Sequence, residues 1–503
     1  VQERLETFSH DAIQLRDPAA HPRKLKTGHL HGNRFEVTVR TEEPEALTRA
    51  QAKLERLAQD GVLHVFGPQR FGTEARNVDE GLAILAGASF ALAIASVMGI
   101  AFASNMFTLF VFYEALTMTT YPLVAHASTP HALRSARTYL GVLVTTSICF
   151  LLLGVIWTWH LTGNLDFSSE GVFAAPLAAG QLSLGTLALL YGLYVYGIGK
   201  AAVMPAHRWL PAAMVAPTPV SALLHAVAVV KAGVFSVLKV TVYIFGINTM
   251  RECAAAVIGG DWLIYVASFS ILAASGVAMY QDNLKRRLAY STVSQLSYIT
   301  LGAALLTQSS IQGGALHMVM HAFGKITLFF VAGAIYVTHH KTEISEMRGI
   351  GRKMPLTMTA FLLATLSIIG LPPMGGAWSK WLLIMGSLEA KHQFVIVVLI
   401  ISSLMNIAYL LPISVAAFFL PEEKQDPFHS GKEEDYHETH GHDDHDDHGH
   451  DDHHDTHFWL ERFGLEEAPA FCVIPICLTA AACVVLFVYP DPFLELARAI
   501  RLG

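Results

Sequence analysis

The chain has 503 residues, 53% hydrophobic and 15% charged, with a formal net charge of -7. Soluble domains carry about 25% charged residues, so this composition points to a membrane protein and away from an ordinary soluble enzyme. Much of the acid lies in one short tract near the C-terminus, and the main body lacks the basic surface that nucleic-acid binding requires.

Residues 1–81 read as a small soluble segment, rich in charge and without a signal-peptide pattern. "RFEVTVR" alternates like a strand, and "PEALTRAQAKLERLAQDG" reads as an amphipathic helix stopped by glycine. Together they suggest a piece of an α/β domain.

The composition changes at Leu82. A membrane helix needs about 20 mostly apolar residues. Such runs occur near 82–103, 107–126, 138–158, 182–206, 216–246, 262–280, 289–306, 312–338, 355–390, 394–420 and 469–489. The fold expected is an all-α polytopic membrane protein with about eleven transmembrane helices. Its core spans 82–420, and 469–503 form the last helix and tail. The run 355–390 is broken at "GLPPMGG", and such breaks are tolerated at membrane depth where they line a cavity.

Positive charge clusters at Arg134 and Arg137, at Arg208, at Lys285 to Arg287, and at Lys341, Arg348, Arg352 and Lys353. These fall in every second loop. The intervening loop 159–181 has no Lys or Arg, and 247–261 has only Arg251. The basic loops are therefore expected on the cytoplasmic side of a bacterial plasma membrane, together with the N-terminal segment.

Residues 421–468 form a loop on the same side, and its stretch 429–457 holds ten histidines among Asp pairs. His442, His445, His448, His450 and His453 are weak candidates for metal ligation, in a tract whose composition favours a solvated loop. None of the five cysteines forms a CxxC pair, and no GxGxxG or GxxxxGK[ST] motif is present. No cofactor site is expected.

Ionisable residues inside spanning segments are costly, by roughly 2.5–3.5 kcal/mol or more at a helix centre, and each needs a partner or a wet path. Here they are numerous: Glu114, Lys200, His225, Lys231, Lys239, His317, His321, Lys325 and Lys380. Lys239 suits snorkelling. The others, of both signs and spread over several helices, suit a proton relay. His317, His321 and Lys325 are four apart and share a helix face. Lys200, before Pro205, and Lys380, after Pro372 and Pro373, both stand at broken helices, as in inverted-repeat transporters. The repeat offset carries Glu114 to "YSTVSQLSY", which has no carboxylate.

The stretches "FVFYEALTMTTYPLVAH", "GKAAVMPAHRWLPAAMVAPTPVSALLHAVAVVKAGVF", "DNLKRRLAYSTVSQLSYITLG", "HMVMHAFGKITLFF" and "LPPMGGAWSKW" resemble the proton-conducting antiporter family. That family holds the A-type and D-type subunits of multi-subunit Na⁺/H⁺ antiporters and the antiporter-like subunits of respiratory complex I. The resemblance covers about 82–490 and is nearest to the D-type antiporter subunit. It implies two inverted five-helix repeats, about 82–246 and 262–420, each with a broken helix. It implies a Glu114–Lys200 pair, a middle lysine Lys231 and an exit lysine Lys380, with His225, His317 and His321 in the relay.

The function this implies is a non-enzymatic subunit of a monovalent cation/proton antiporter. The partners would be other subunits, the bilayer, protons and a cation such as Na⁺. The alternative is a proton-pumping subunit of an NADH:quinone oxidoreductase or hydrogenase-type complex. Family members usually begin with three more helices, and the first run here matches their fourth.

The N-terminal "RKLKTGHLHGNRFEVTVR" and "GVLHVFGPQRFGTEARNVDEG" resemble a fragment of the tRNA pseudouridine synthase D family. Its GNxF motif, which helps hold the target uridine, falls on Asn33 and Phe35. Asp11 and Asp17 do not stand in that family's Lys-Asp context, so uridine isomerisation is the third and least favoured reading.

Overall fold

A computed structural model describes residues 30–31, 34–35, 73–127, 129–257, 259–421 and 466–500. The chain divides into two compact units, Val1–Leu85 and Ala86–Gly503. In the first, β1 (Leu30–His31) and β2 (Arg34–Phe35) pair antiparallel, Leu30 opposite Phe35 and His31 opposite Arg34. The short strand β2 falls at the start of "RFEVTVR". The helix expected at 44–61 lies outside the described residues.

The second unit is helical. Its elements are the part of α1 (Thr73–Phe102) from residue 86 onward, α2 (Met106–Ala125), α3 (Pro130–Thr162), α4 (Leu184–Gly197), α5 (Thr218–Phe245) and α6 (Ile247–Ala256). There follow α7 (Trp262–Met279), α8 (Leu284–Ala304), α9 (Gln308–His339), α10 (Pro355–Ile369), α11 (Gly376–Glu389) and α12 (Gln393–Phe419). The last two are α13 (Ala470–Val488) and α14 (Asp491–Arg498). Seven of these are long and apolar enough to cross a membrane, and α4 and α10 are shorter apolar helices. Each of the eleven apolar runs coincides with a helix or a broken helix pair, so the all-helical polytopic fold is confirmed.

The helix boundaries depart from the apolar runs where capping decides them. α3 starts at Pro130, well before apolar residue 138, because the Thr129 hydroxyl accepts from Ala132 N and Pro suits a first turn. α8 starts at Leu284 for the same kind of reason: the Asn283 side chain accepts from Arg286 N, and its charged first turn escapes a hydropathy scan. α9 opens with a capping box between Thr307 and Ser310.

Two of the spans break. The 182–206 run ends as helix at Gly197, passes through a 3₁₀ turn at Gly199–Ala201, and places Ala202 at φ 54°. The 355–390 run separates into α10 and α11 around Gly370, whose φ of 86° suits glycine.

Helix α8 packs against α7 and α9, and α9 packs against α10, α11 and α13. The buried apolar side chains form two main clusters. One draws largely on α1 to α8 and the other on α8, α9, α10, α12 and α13. Unusually for a membrane helix, α8 buries Ser291, Thr292, Ser294, Gln295, Ser297 and Thr300 completely. Thr292, Ser297 and Thr300 bond back to their own helix. Ser291, Ser294 and Gln295 are left to reach across to neighbours.

Candidate functional site

Lys200 is fully buried in the break that follows α4. Its ammonium donates to the Tyr113 carbonyl at 2.8 Å and the Thr117 hydroxyl at 2.6 Å, and lies 3.2 Å from the centre of the Tyr113 ring. The Lys200 backbone N–H donates to the Tyr113 hydroxyl at 3.0 Å. Glycine at 233 makes this possible. A Cβ there would stand 2.3 Å from the Lys200 carbonyl carbon, so α5 presses directly on the broken backbone.

Glu114, expected to pair with Lys200, is on the same turn of α2 but forms no direct ion pair with it. Its Oε1 is buried and makes no hydrogen bond among the described residues. Neutral oxygens make the direct contacts of the Lys200 ammonium, and Glu114 acts on it through space.

The middle of the site is compact. Lys231, on α5, meets Nδ1 of His321, on α9, at 2.6 Å. One turn away on α9 the His317 ring lies 6.2 Å from the His321 ring, centroid to centroid. His317 Nδ1 is 2.9 Å from the Ser379 hydroxyl and Nε2 is 3.1 Å from Gln295 Oε1, while its ring stacks on Tyr298 at 5.3 Å. Every one of these side chains is buried. With one imidazole nitrogen bonded to Lys231 and the other without a hydrogen bond among the described residues, His321 can accept on one side and donate on the other.

Lys325, one turn beyond His321 on α9 and buried, donates to the Leu288 carbonyl of α8 at 3.1 Å. His225 sits in a π turn, Leu223–Val227, within α5; such turns concentrate at functional sites. Its ring packs 5.2 Å from Phe329, and neither ring nitrogen has a hydrogen-bond partner among the described residues. Lys380, on α11, donates to the Ile369 carbonyl at 2.7 Å and the Ser403 hydroxyl at 3.0 Å, with the Tyr298 ring centre 5.0 Å away. Lys239 is a helix cap. It donates to the carbonyls of Ala101 and Ala103 at the end of α1, at 3.2 and 2.8 Å.

Sequence reasoning missed Tyr113, Thr117, Gln295, Tyr298, Ser379 and Ser403. The usable signal was a polar residue one turn from an ionisable one, as in Tyr113 and Thr117 about Glu114, or Ser379 beside Lys380. The candidate metal-binding histidines 442, 445, 448, 450 and 453, and Asn33, lie outside the described residues. Phe35 lies in β2. Among the described residues no group of three metal-ligating side chains occurs.

A bundle of membrane helices with two broken spans and a buried row of lysines and histidines defines a polytopic membrane protein built around intramembrane charge. The chain belongs to the NADH:quinone oxidoreductase/Mrp antiporter transmembrane family, whose sequence model matches residues 103–406. Residues 1–148 also match the model of tRNA pseudouridine synthase D, so that similarity runs past the fragment read from the sequence.

Among similar proteins is NADH-quinone oxidoreductase subunit N of Desulforudis audaxviator, 36% identical over 64% of this chain. Another is NAD(P)H-quinone oxidoreductase chain 5 of Synechocystis, 31% identical over 58%. The chain spans 62% and 43% of the length of these two relatives. Similar folds occur in the archaeal membrane-bound sulfane sulfur reductase and in the Mrp complex of Dietzia. Both give a TM-score of 0.65 at 23% identity, over 81% and 82% of this chain and 74% and 76% of theirs. At that identity they speak for the fold alone.

Proposed function

We propose that this chain is the proton-translocating, antiporter-like subunit of a membrane-bound NAD(P)H:quinone oxidoreductase-type complex. The observation that carries the proposal is the buried contact chain Lys231–His321–His317, flanked by Lys200 and Lys380 at the two helix breaks. Isolated charges this deep would be expelled or neutralised, and a linked series of proton acceptors supports a conducting role. The relatives named as quinone oxidoreductase subunits favour this setting over the dedicated cation/proton antiporter.

In this mechanism Lys200 is the charge that neighbouring groups bias. Its contacts are neutral, so a Glu114 carboxylate approaching to 4 Å would change the energy of its charge by about 4 kcal/mol at an effective dielectric of 20. That is enough to load or release a proton. Lys231 passes a proton to His321 by direct contact, and His317 faces the Lys380 side through Ser379. The redox chemistry would reside in other subunits.

Replacing Lys200 by Ala in the whole complex, reconstituted in proteoliposomes, is expected to abolish proton translocation while the complex still assembles. Wild-type translocation would overturn the relay. Exchange of a monovalent cation is a second reading, supported by the structural likeness to the Mrp complex. Co-purifying flavin and iron–sulfur subunits would support the first reading. Small antiporter subunits together with Na⁺-dependent proton movement would support the second.

A further inference from the structure

Apart from the lysine–histidine row, a second set of buried polar groups joins α7, α8 and α12, and the proposed relay does not use it. It begins near the face that bears the basic loops. There Arg287, in the first turn of α8, donates to the Gln281 carbonyl at 2.7 Å and to the Tyr409 carbonyl at 2.9 Å. The Tyr409 hydroxyl bonds the Ser291 hydroxyl at 2.9 Å and also the Asn406 side chain. Asn406 in turn donates to the Ser402 carbonyl at 2.8 Å. One turn beyond Ser291, the Ser294 hydroxyl meets Ser275 at 2.9 Å, and Ser275 meets Ser402 at 3.4 Å. Next to Ser402, Ser403 accepts from the Lys380 ammonium at 3.0 Å.

All of these hydroxyls except that of Ser403 belong to buried residues. A serine on an apolar helix normally bonds its own i−4 carbonyl; Ser275, Ser294 and Ser291 bond across helices instead. A second observation lies at the far end. The Tyr298 hydroxyl, fully buried, lies against the hydroxyls of both Ser402 and Ser403. It is a polar group aimed into the thread.

We propose that this hydroxyl thread is a proton-uptake branch of its own, running from the basic-loop face beside Arg287 through Tyr409, Ser291, Ser294, Ser275 and Ser402 to Lys380. It rests on the proton-translocating reading above and deepens it, because Lys380 would then load through its own branch while the charge on Lys200 governs its release, so that each cycle needs both. In each step a hydroxyl oxygen accepts a proton on a lone pair and gives its own proton to the next acceptor. One O–H bond forms and one breaks, and every hydroxyl is left unchanged. A neutral Lys380 amine at the end takes the proton as ammonium, so no oxidant or other reactant is consumed. Asn406 positions Tyr409 and does not relay. The Tyr409 hydroxyl also faces that of Ser275, which joins the Ser291 and Ser294 ends of the thread, and the Tyr298 hydroxyl spans the step from Ser402 to Ser403.

The test compares Tyr409→Phe, Ser402→Ala and Ser402→Thr with Lys200→Ala in the intact complex in proteoliposomes, with subunit content of the particle measured for each. The branch predicts that Tyr409→Phe and Ser402→Ala lower proton translocation at least tenfold. It also predicts that Ser402→Thr, which keeps a hydroxyl, restores it. Equal losses in Ser402→Ala and Ser402→Thr would mark a packing role and overturn the branch. If Lys200→Ala blocks translocation while Tyr409→Phe and Ser402→Ala leave it intact, the branch alone falls. If all three leave it intact, the proton-translocating reading falls with it.

Discussion

Gly233→Ala adds one methyl group and changes no charge. A Cβ at this position would lie 2.3 Å from the Lys200 carbonyl carbon, 2.4 Å from the Ala201 nitrogen and 2.6 Å from the Lys200 carbonyl oxygen. Carbon atoms settle at about 3.5–4.0 Å, so the broken backbone must retreat from α5 by about 1 Å. All three neighbours are backbone, and none can rotate aside. The ammonium contacts to Thr117 and the Tyr113 carbonyl, now 2.6 and 2.8 Å, then stretch beyond useful hydrogen-bonding length. Hydrogen bonds to charged groups contribute about 1.5–3 kcal/mol each. Losing both removes about 3–6 kcal/mol from the hold on Lys200, and a displacement of 1 Å at a reacting group costs on the order of 100-fold in rate. The expected result is a complex that assembles with reduced thermal stability and translocates protons about 100-fold more slowly, measured with a pH-sensitive dye in proteoliposomes. A fully assembled Gly233→Ala complex that pumps at the wild-type rate would show that the position of Lys200 does not matter, and would refute the reasoning.

Two further substitutions separate stability from transport. Glu467 is buried and its carboxylate accepts from the backbone N–H groups of Leu356 and Thr357, at 2.6 and 3.3 Å, capping α10 from across the chain. Glu467→Ala should cost about 2 kcal/mol, read as earlier thermal aggregation of the solubilised protein, and an unchanged profile would remove the cap from the account. Lys239→Met removes the donor at the end of α1 and should cost about 1 kcal/mol while proton translocation continues. Loss of translocation in an assembled particle would return Lys239 to the relay.

Much of the architecture was legible because membrane helices need a long apolar run, and each run became a helix or a broken pair. The two breaks were legible as well, since a proline or a pair of glycines beside a buried lysine interrupts the backbone where the charge needs polar company. The partners of those lysines were hidden. Hydropathy says nothing about which face of α2 meets the Lys200 turn, so Glu114 looked like the natural partner. In the fold, the Tyr113 carbonyl and the Thr117 hydroxyl make the direct contacts, with Glu114 near enough to act on the ammonium through space. The spacing of His317, His321 and Lys325 predicted one face, and the first two do adjoin. Lys325 turns to a carbonyl of α8, a contact fixed by packing between helices far apart in sequence. The hydroxyl thread was equally invisible, because a lone serine or tyrosine in an apolar helix carries no signal until the neighbouring helix is in place.

The uninterrupted course of α9 has a dynamic consequence. It is a helix of 32 residues, about 48 Å long at 1.5 Å per residue, and no proline lies inside it. His317 and His321 are therefore carried by an element with no hinge of its own, while Lys200 and Lys380 sit at the breaks in the two interrupted spans. In the proposed transport cycle, conformational change would then fall on side-chain rotation and on the broken segments. Rotamer changes of that kind take picoseconds to nanoseconds where side chains are free, and collective helix movements take microseconds to milliseconds. The rate-setting event would be local rearrangement at the breaks, with the histidines acting as a stationary platform past which charge is handed.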